Sequence, residues 1–94
     1  PLLFIPKAFT PQNQDLKNNE WKVVVYGENA IQNYSLKIYT RFGEAIFETN
    51  SIHEAWDGTI NNSLAPDGVY IYSIQIDYAQ GEQLHEGGSI MLFR

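Results

Sequence analysis

The chain has 94 residues and a mass of 10.8 kDa, which suits one domain spanning 1–94, since a single core organises roughly 50 to 200 residues. Its 44% hydrophobic, 14% aromatic and 18% charged residues and its lack of cysteine argue against disorder and exclude a disulfide framework, a thiolate zinc site and a cysteine nucleophile. The net charge of -5 and pI near 4.7 repel a polyphosphate, so nucleic acid is not an expected partner.

The charge is uneven. Positions 1 to 42 hold five Lys/Arg against three Asp/Glu, and positions 43 to 94 hold one Arg against eight Asp/Glu. The acidic half reads as a solvated face or as a surface for a basic partner. No apolar run approaches the roughly 18 residues of a membrane span, so direct membrane insertion is not expected. Pro1-Leu2-Leu3-Phe4-Ile5-Pro6 lacks the basic start of a signal peptide. A chain that begins without Met reads as a segment of a longer protein.

In chain order, Phe4 to Phe9 is interrupted by Pro6 and followed by Pro11, which places it on a sheet edge, where a missing N–H does least harm. Trp21 to Tyr26 is short and β-branched and stops at Gly27, as a strand buried on much of both faces would. In Ser35 to Arg41, Leu36 and Ile38 alternate with Lys37 and Arg41. Phe42-Gly43-Glu44 then turns the chain into Ala45 to Thr49, predicting a hairpin with glycine at its tip. Ile52 to Ala55 allows one helical turn. Tyr70, Tyr72, Ile74, Ile76 and Tyr78 share one face of a long strand, with Ser73, Gln75 and Asp77 on the other. Ala79-Gln80-Gly81 leads into a partner strand through Leu84, Ile90 and Leu92, where Gly87-Gly88 signals a bulge or a close backbone approach. About six or seven short strands predict an all-β fold, an immunoglobulin-like antiparallel β-sandwich, with a small open barrel as the alternative. Asp67-Gly68-Val69-Tyr70 is the setting of a tyrosine corner, or of a core tyrosine with its hydroxyl at the rim.

Chemistry needs groups that converge, and few are on offer. His53 and His85 each stand beside a glutamate, and no Gly-x-Ser-x-Gly turn, His-Glu-x-x-His helix or phosphate-cradling glycine loop is present. The expectation is a protein that is not an enzyme and carries no cofactor. Gln12 to Glu20 gathers oxygen donors, but only Asp15 and Glu20 are anions, Lys17 lies among them and no glycine turns the loop. Ordinary turn formation explains it better than calcium does. Trp56-Asp57-Gly58-Thr59 is the sharpest short motif. Trp56 is either a stacking platform for a sugar ring or, the reading preferred here, a plug folded over the sandwich end beside an Asp-Gly turn.

Taken together, five stretches in order resemble one family: Ile5 to Pro11, Leu36 to Glu44, Trp56 to Thr59, Ala65 to Tyr72 and Gly88 to Arg94. The chain looks like the gliding-motility-associated C-terminal domain, the type B sorting domain of the type IX secretion system of Bacteroidota. That resemblance implies a non-catalytic tail that directs exported cargo to the cell surface or the medium. Its implied partners are the secretion machinery at the outer membrane and the cargo domains on its N-terminal side, and Arg94 would be a natural chain end. Family members follow Phe-Thr-Pro with an Asn-Gly-Asp-Gly type loop, whereas Gln12 to Asn19 lacks both glycines, which counts against an inherited calcium site. The residues expected to be read are Phe42, Gly43 and Glu44 at the hairpin tip, Trp56, Asp57 and Gly58 at the second turn, and the last strand to Arg94. The rival expectations are a carbohydrate-binding module and a structural or adhesive spacer of a large surface protein.

Overall fold

A computed structural model describes residues 3–9 and 20–93 of the chain, and every structural statement refers to these. Nine strands form: β1 (Leu3–Phe4), β2 (Ala8–Phe9), β3 (Val24–Val25), β4 (Ile31–Thr40), β5 (Ala45–Thr49), β6 (Thr59–Ile60), β7 (Ser63–Leu64), β8 (Gly68–Tyr78) and β9 (Gln83–Leu92). One layer is a five-stranded sheet in the order β2-β9-β8-β4-β5, and β1-β3 and β6-β7 make two-stranded ribbons.

The alternation seen in the sequence fixes which face of the large sheet is buried. On β8, Tyr70, Tyr72, Ile74, Ile76 and Tyr78 are buried while Ile71, Ser73 and Gln75 are exposed. Antiparallel register extends that face sideways: Leu36 opposes Ile74, Ile38 opposes Tyr72, and Ile90 opposes Tyr70 from the other side. A one-residue slip would turn this whole set to water, so the register is strongly specified. Burying each such Leu or Ile stabilises the fold by about 1.5–3 kcal/mol.

The second layer is thinner than a sheet. Trp21, Val23, Trp56 and Ala65 are buried in the same core cluster as the sheet residues, with Leu3, Ile5, Val25, Ile52 and Ile60 packed around them. The all-β sandwich is therefore one broad sheet roofed by ribbons and turns. The strands read from the sequence are antiparallel to one another, but β2 adds to the edge in parallel, pairing Ala8 with Met91 and Phe9 with Leu92. Pro6 explains the break between β1 and β2, since it has no N–H to continue a ladder.

One local expectation changes and two are narrowed. Trp21 to Tyr26 is buried on one face only: Trp21 and Val23 are buried, whereas Lys22, Val24 and Tyr26 are exposed. As part of a roof, this segment has water on its other side. Ile52 to Ala55 makes one hydrogen-bonded turn and no helix: the Glu54 N–H donates to the Ser51 carbonyl at 3.2 Å and the His53 N–H to the Ser51 hydroxyl. Gly87-Gly88 produces a close approach and no bulge. The β8–β9 register runs without a shift, and a Cβ on Gly88 would lie 2.7 Å from the Tyr72 hydroxyl.

Candidate functional site

The β4–β5 hairpin tip is held by its own threonine. Thr40 Oγ1 accepts from the Phe42 and Glu44 N–H groups, each at 3.2 Å. The Thr40 N–H donates to the Glu44 carbonyl at 2.8 Å, and the Gly43 N–H donates back to the Thr40 carbonyl at 2.9 Å. Gly43 has φ of +94°, a conformation that glycine adopts without a Cβ penalty. The result is a fixed turn whose Phe42 side chain is 84% exposed, with the Arg41 guanidinium 5.0 Å above its ring.

The second turn is fixed from inside. Trp56 is 1% exposed, so the plug arrangement holds and its ring is no platform. Its indole N–H donates to the Thr59 carbonyl at 3.0 Å, and its ring meets Phe9 at 5.4 Å and Tyr70 at 5.2 Å. Asp57 Oδ1 accepts from the Thr59 hydroxyl at 2.7 Å and the Thr59 N–H at 3.1 Å, closing an Asx turn around the buried Gly58. The Tyr70 hydroxyl donates to the Pro66 carbonyl at 2.6 Å, which is the tyrosine corner.

These pieces meet at one end of the sheet. Thr40 opposes Tyr70, Tyr70 meets Trp56 edge to face, the Ala65 N–H donates to the Gly58 carbonyl at 2.9 Å, and Met91 and Leu92 lie between Val69, Gly68 and the β2 strand. The described parts of all five stretches singled out in the sequence thus share one pole. Between the hairpin tip and the Pro66–Val69 corner runs a groove of about 360 Å³, lined by Phe42, Ile60, Pro66 and Val69 with Arg41 and Asp67. Of the expected residues, Phe42, Gly43, Glu44 and Asp57 are exposed at this pole. Trp56 and Gly58 are buried behind it, and Arg94 lies outside the described residues, as does the Gln12 to Asn19 loop.

Sequence reasoning missed Arg41 and the apolar outer end of the sheet. Val69, Ile71, Met91 and Phe93 are exposed there. The signal was present in the odd positions of β8, where Val69 and Ile71 precede Ser73, but the stronger inward face masked it.

No catalytic constellation forms among the described residues. His53 lies in the turn after β5 and His85 on β9, with β4 and β8 between those strands. Among the described residues no group of three or more His, Asp or Glu is placed to hold a metal, and no helix is long and apolar enough to cross a membrane. A polar hollow of about 310 Å³ at the opposite end of the sheet, lined by Asn33, Ser35, Asn50, Gln75 and Asp77, brings one carboxylate only. Burial pushes the Tyr34 phenol up to about 12. The Tyr72 phenol is also raised, by burial first and then by the Glu86 charge. Neither is suited to proton transfer near neutral pH.

A family model described as the CHU_C type IX secretion signal domain matches residues 3–92. No curated protein matches the sequence.

Proposed function

The chain belongs to the family of type IX secretion signal domains and serves to direct a cargo through that system, and from this premise we propose that it works as a rigid, non-catalytic surface. The machinery at the outer membrane reads the pole on which the five stretches converge, and the attached cargo is carried across to the cell surface or the medium. Phe42, Gly43 and Glu44 form the exposed part of that surface. Trp56 and Gly58 hold the Asp57 turn in shape from below, and the last strand, which Arg94 follows in the sequence, completes the signal. The whole chain acts as one sorting unit.

The observation that supports this reading is the convergence itself. Turns from separate parts of the chain are locked by hydrogen bonds at a single end of the sheet, whereas no metal-binding group of ionisable residues gathers among the described residues. A receptor that must accept unrelated cargo needs a constant shape, and loops positioned by a rigid scaffold provide one. The carbohydrate-binding alternative loses its platform, because Trp56 is inside.

The decisive experiment fuses the domain to a fluorescent cargo in a strain with a working type IX system. Fluorescence at the surface or in the medium is expected, and retention in the periplasm would overturn the assignment. Reversing the charges of Glu44, Glu48, Asp57 and Asp67 tests whether the acidic half meets a basic receptor; unchanged export would eliminate that electrostatic component.

A further inference from the structure

At the end of the sheet away from the pole, the outer ladder stops short. β4 runs from Ile31 to Thr40, but β5 pairs with it only from Leu36 to Tyr39, and the chain leaves the sheet at Asn50. Among the described residues, Ile31 to Ser35 therefore have β8 on one side and no strand on the other. The hollow of about 310 Å³ lies beside this free edge, with Asn33, Tyr34, Ser35 and Asn50 on the near side and Gln75 and Asp77 on the far side. We propose that this corner receives an arginine side chain from an extended segment of a partner polypeptide, with the guanidinium on Asp77 and the main chain along the free edge of β4.

The lining is short of donors and of positive charge. Asn33 opposes Asp77 and Ser35 opposes Gln75, so these four side chains stand on one face. Among the described residues no Lys, Arg or His lines the hollow, and Lys37, further along that face, is already paired with Glu48 at 3.4 Å. The Asp77 carboxylate is poorly satisfied. Asn33 Nδ2 donates to its Oδ2 at 3.4 Å, near the long limit of a hydrogen bond, and its enclosed Oδ1 has no partner. A carboxylate oxygen kept from water without a donor is costly, so a ligand that brings donors and positive charge gains most here. The loose tether lets the carboxylate turn toward the hollow as that ligand enters.

A guanidinium suits the corner better than other cations. Calcium takes six to eight oxygens, several of them usually carboxylate, and a single carboxylate lines this hollow. An ammonium is a compact point charge, whereas a guanidinium is a flat fork of five donors. Laid on the sheet face, that fork spans Asp77 and the side-chain carbonyls of Asn33 and Gln75. The free edge argues that the arginine arrives on a chain, because unpaired strand N–H and C=O groups are a template for an added strand. The inference does not rest on the export reading. It concerns the other end of the sheet and its test makes no use of export, so the two ideas fail separately.

The probe is the blocked peptide acetyl-Thr-Thr-Arg-Thr-Thr-amide, titrated into the isotope-labelled chain to about 10 mM, above a dissociation constant of about 1 mM. Saturable NMR shifts are expected at Asn33, Ser35, Gln75 and Asp77. The same peptide with citrulline, the neutral isostere of arginine, should bind about tenfold more weakly, and the lysine peptide several-fold more weakly. Acetyl-arginine methylamide, which has the side chain and no strand, should move the same signals at several-fold lower affinity. Asp77→Asn should weaken the arginine peptide about tenfold, as loss of a charge-assisted contact does. Gln75→Lys, which sets an ammonium beside Asp77, should abolish binding. The proposal is overturned by an absence of saturable shifts at this corner, by equal binding of the citrulline or lysine peptide or of the blocked single arginine, or by undiminished binding to either folded variant. Thermal melting checks that each variant folds. If Asp77→Asn does not, Gln75→Lys decides, since that side chain is exposed.

Discussion

Trp21 and Trp56 exchange backbone hydrogen bonds in both directions, each N–H donating to the other's carbonyl at 2.8 Å. This isolated bridge joins the two halves of the thin roof, one from each side of the β4–β5 hairpin. Each indole is fully buried and finds its own carbonyl, Trp21 on Pro6 at 2.7 Å and Trp56 on Thr59 at 3.0 Å. The roof is held by two large side chains and has little ladder of its own.

Truncating either ring should therefore cause a global loss of structure. Trp56→Ala is expected to cost about 3–5 kcal/mol, against a total stability of about 5–15 kcal/mol for a domain. Urea unfolding should show a sharply lowered midpoint or no cooperative transition. A midpoint within a few tenths molar of the parent would mean the roof does not depend on that plug.

Gly88→Ala and Gly43→Ala should destabilise for different reasons. At Gly88 the new methyl meets the Tyr72 ring at 2.7–3.0 Å, and that ring also packs on Trp21. Overpacking of this kind costs about 1–3 kcal/mol. At Gly43 nothing lies within 4 Å, but φ is +94°, so the penalty is backbone strain of about 1 kcal/mol. Chemical denaturation separates the cases when Tyr72→Leu is added, since it should relieve Gly88→Ala and leave Gly43→Ala unrelieved.

Tyr70→Phe keeps the ring against Trp56 and removes the bond to the Pro66 carbonyl. A loss of about 0.5–1.5 kcal/mol is expected from thermal or urea melting. An unchanged stability would show that the corner bond is replaced by water without loss.

Stability should fall in strong alkali. The Tyr34 phenol is raised from 10.0 to about 12 by burial. Below pH 10 native and unfolded chains both keep the proton. Between pH 10 and 12 the unfolded chain releases it first, so unfolding is favoured as pH rises. Tyr72 acts in the same direction. Tyr34→Phe should flatten the alkaline limb of a stability–pH curve, and a curve of unchanged slope would remove Tyr34 as its cause.

Phe42→Ser should leave stability within about 0.5 kcal/mol, since the ring lies at the surface. Export of a fused fluorescent cargo should nevertheless drop several-fold. Equal secretion by the parent and the variant would take the tip out of the recognition surface.

The large sheet was legible in the residues because its strands are long and wet on one side. Leu36 and Ile38, the even positions of β8, and the Phe42-Gly43 turn each declare themselves by spacing. The roof was less legible. Trp21 and Trp56 carry no periodic signal that pairs them, and their contact depends on how the whole chain folds over the sheet. The gathering of Glu44, Asp57 and Pro66 at one end was likewise invisible along the sequence, since it follows from strand register. Arg41 shows the limit most clearly: its alternation with Leu36 and Ile38 marks a solvent-facing residue, but nothing local places it over the next aromatic ring.

The parallel seam between β2 and β9 has a mechanical meaning. The two strands run the same way side by side, tied by Met91 N–H to the Lys7 carbonyl at 2.8 Å and Phe93 N–H to the Phe9 carbonyl at 3.1 Å. Traction that draws the leading strand backwards and the trailing strand forwards slides one along the other and loads both ties together. Tension in that direction must shear the seam, whereas a sideways pull on either strand would peel it one rung at a time.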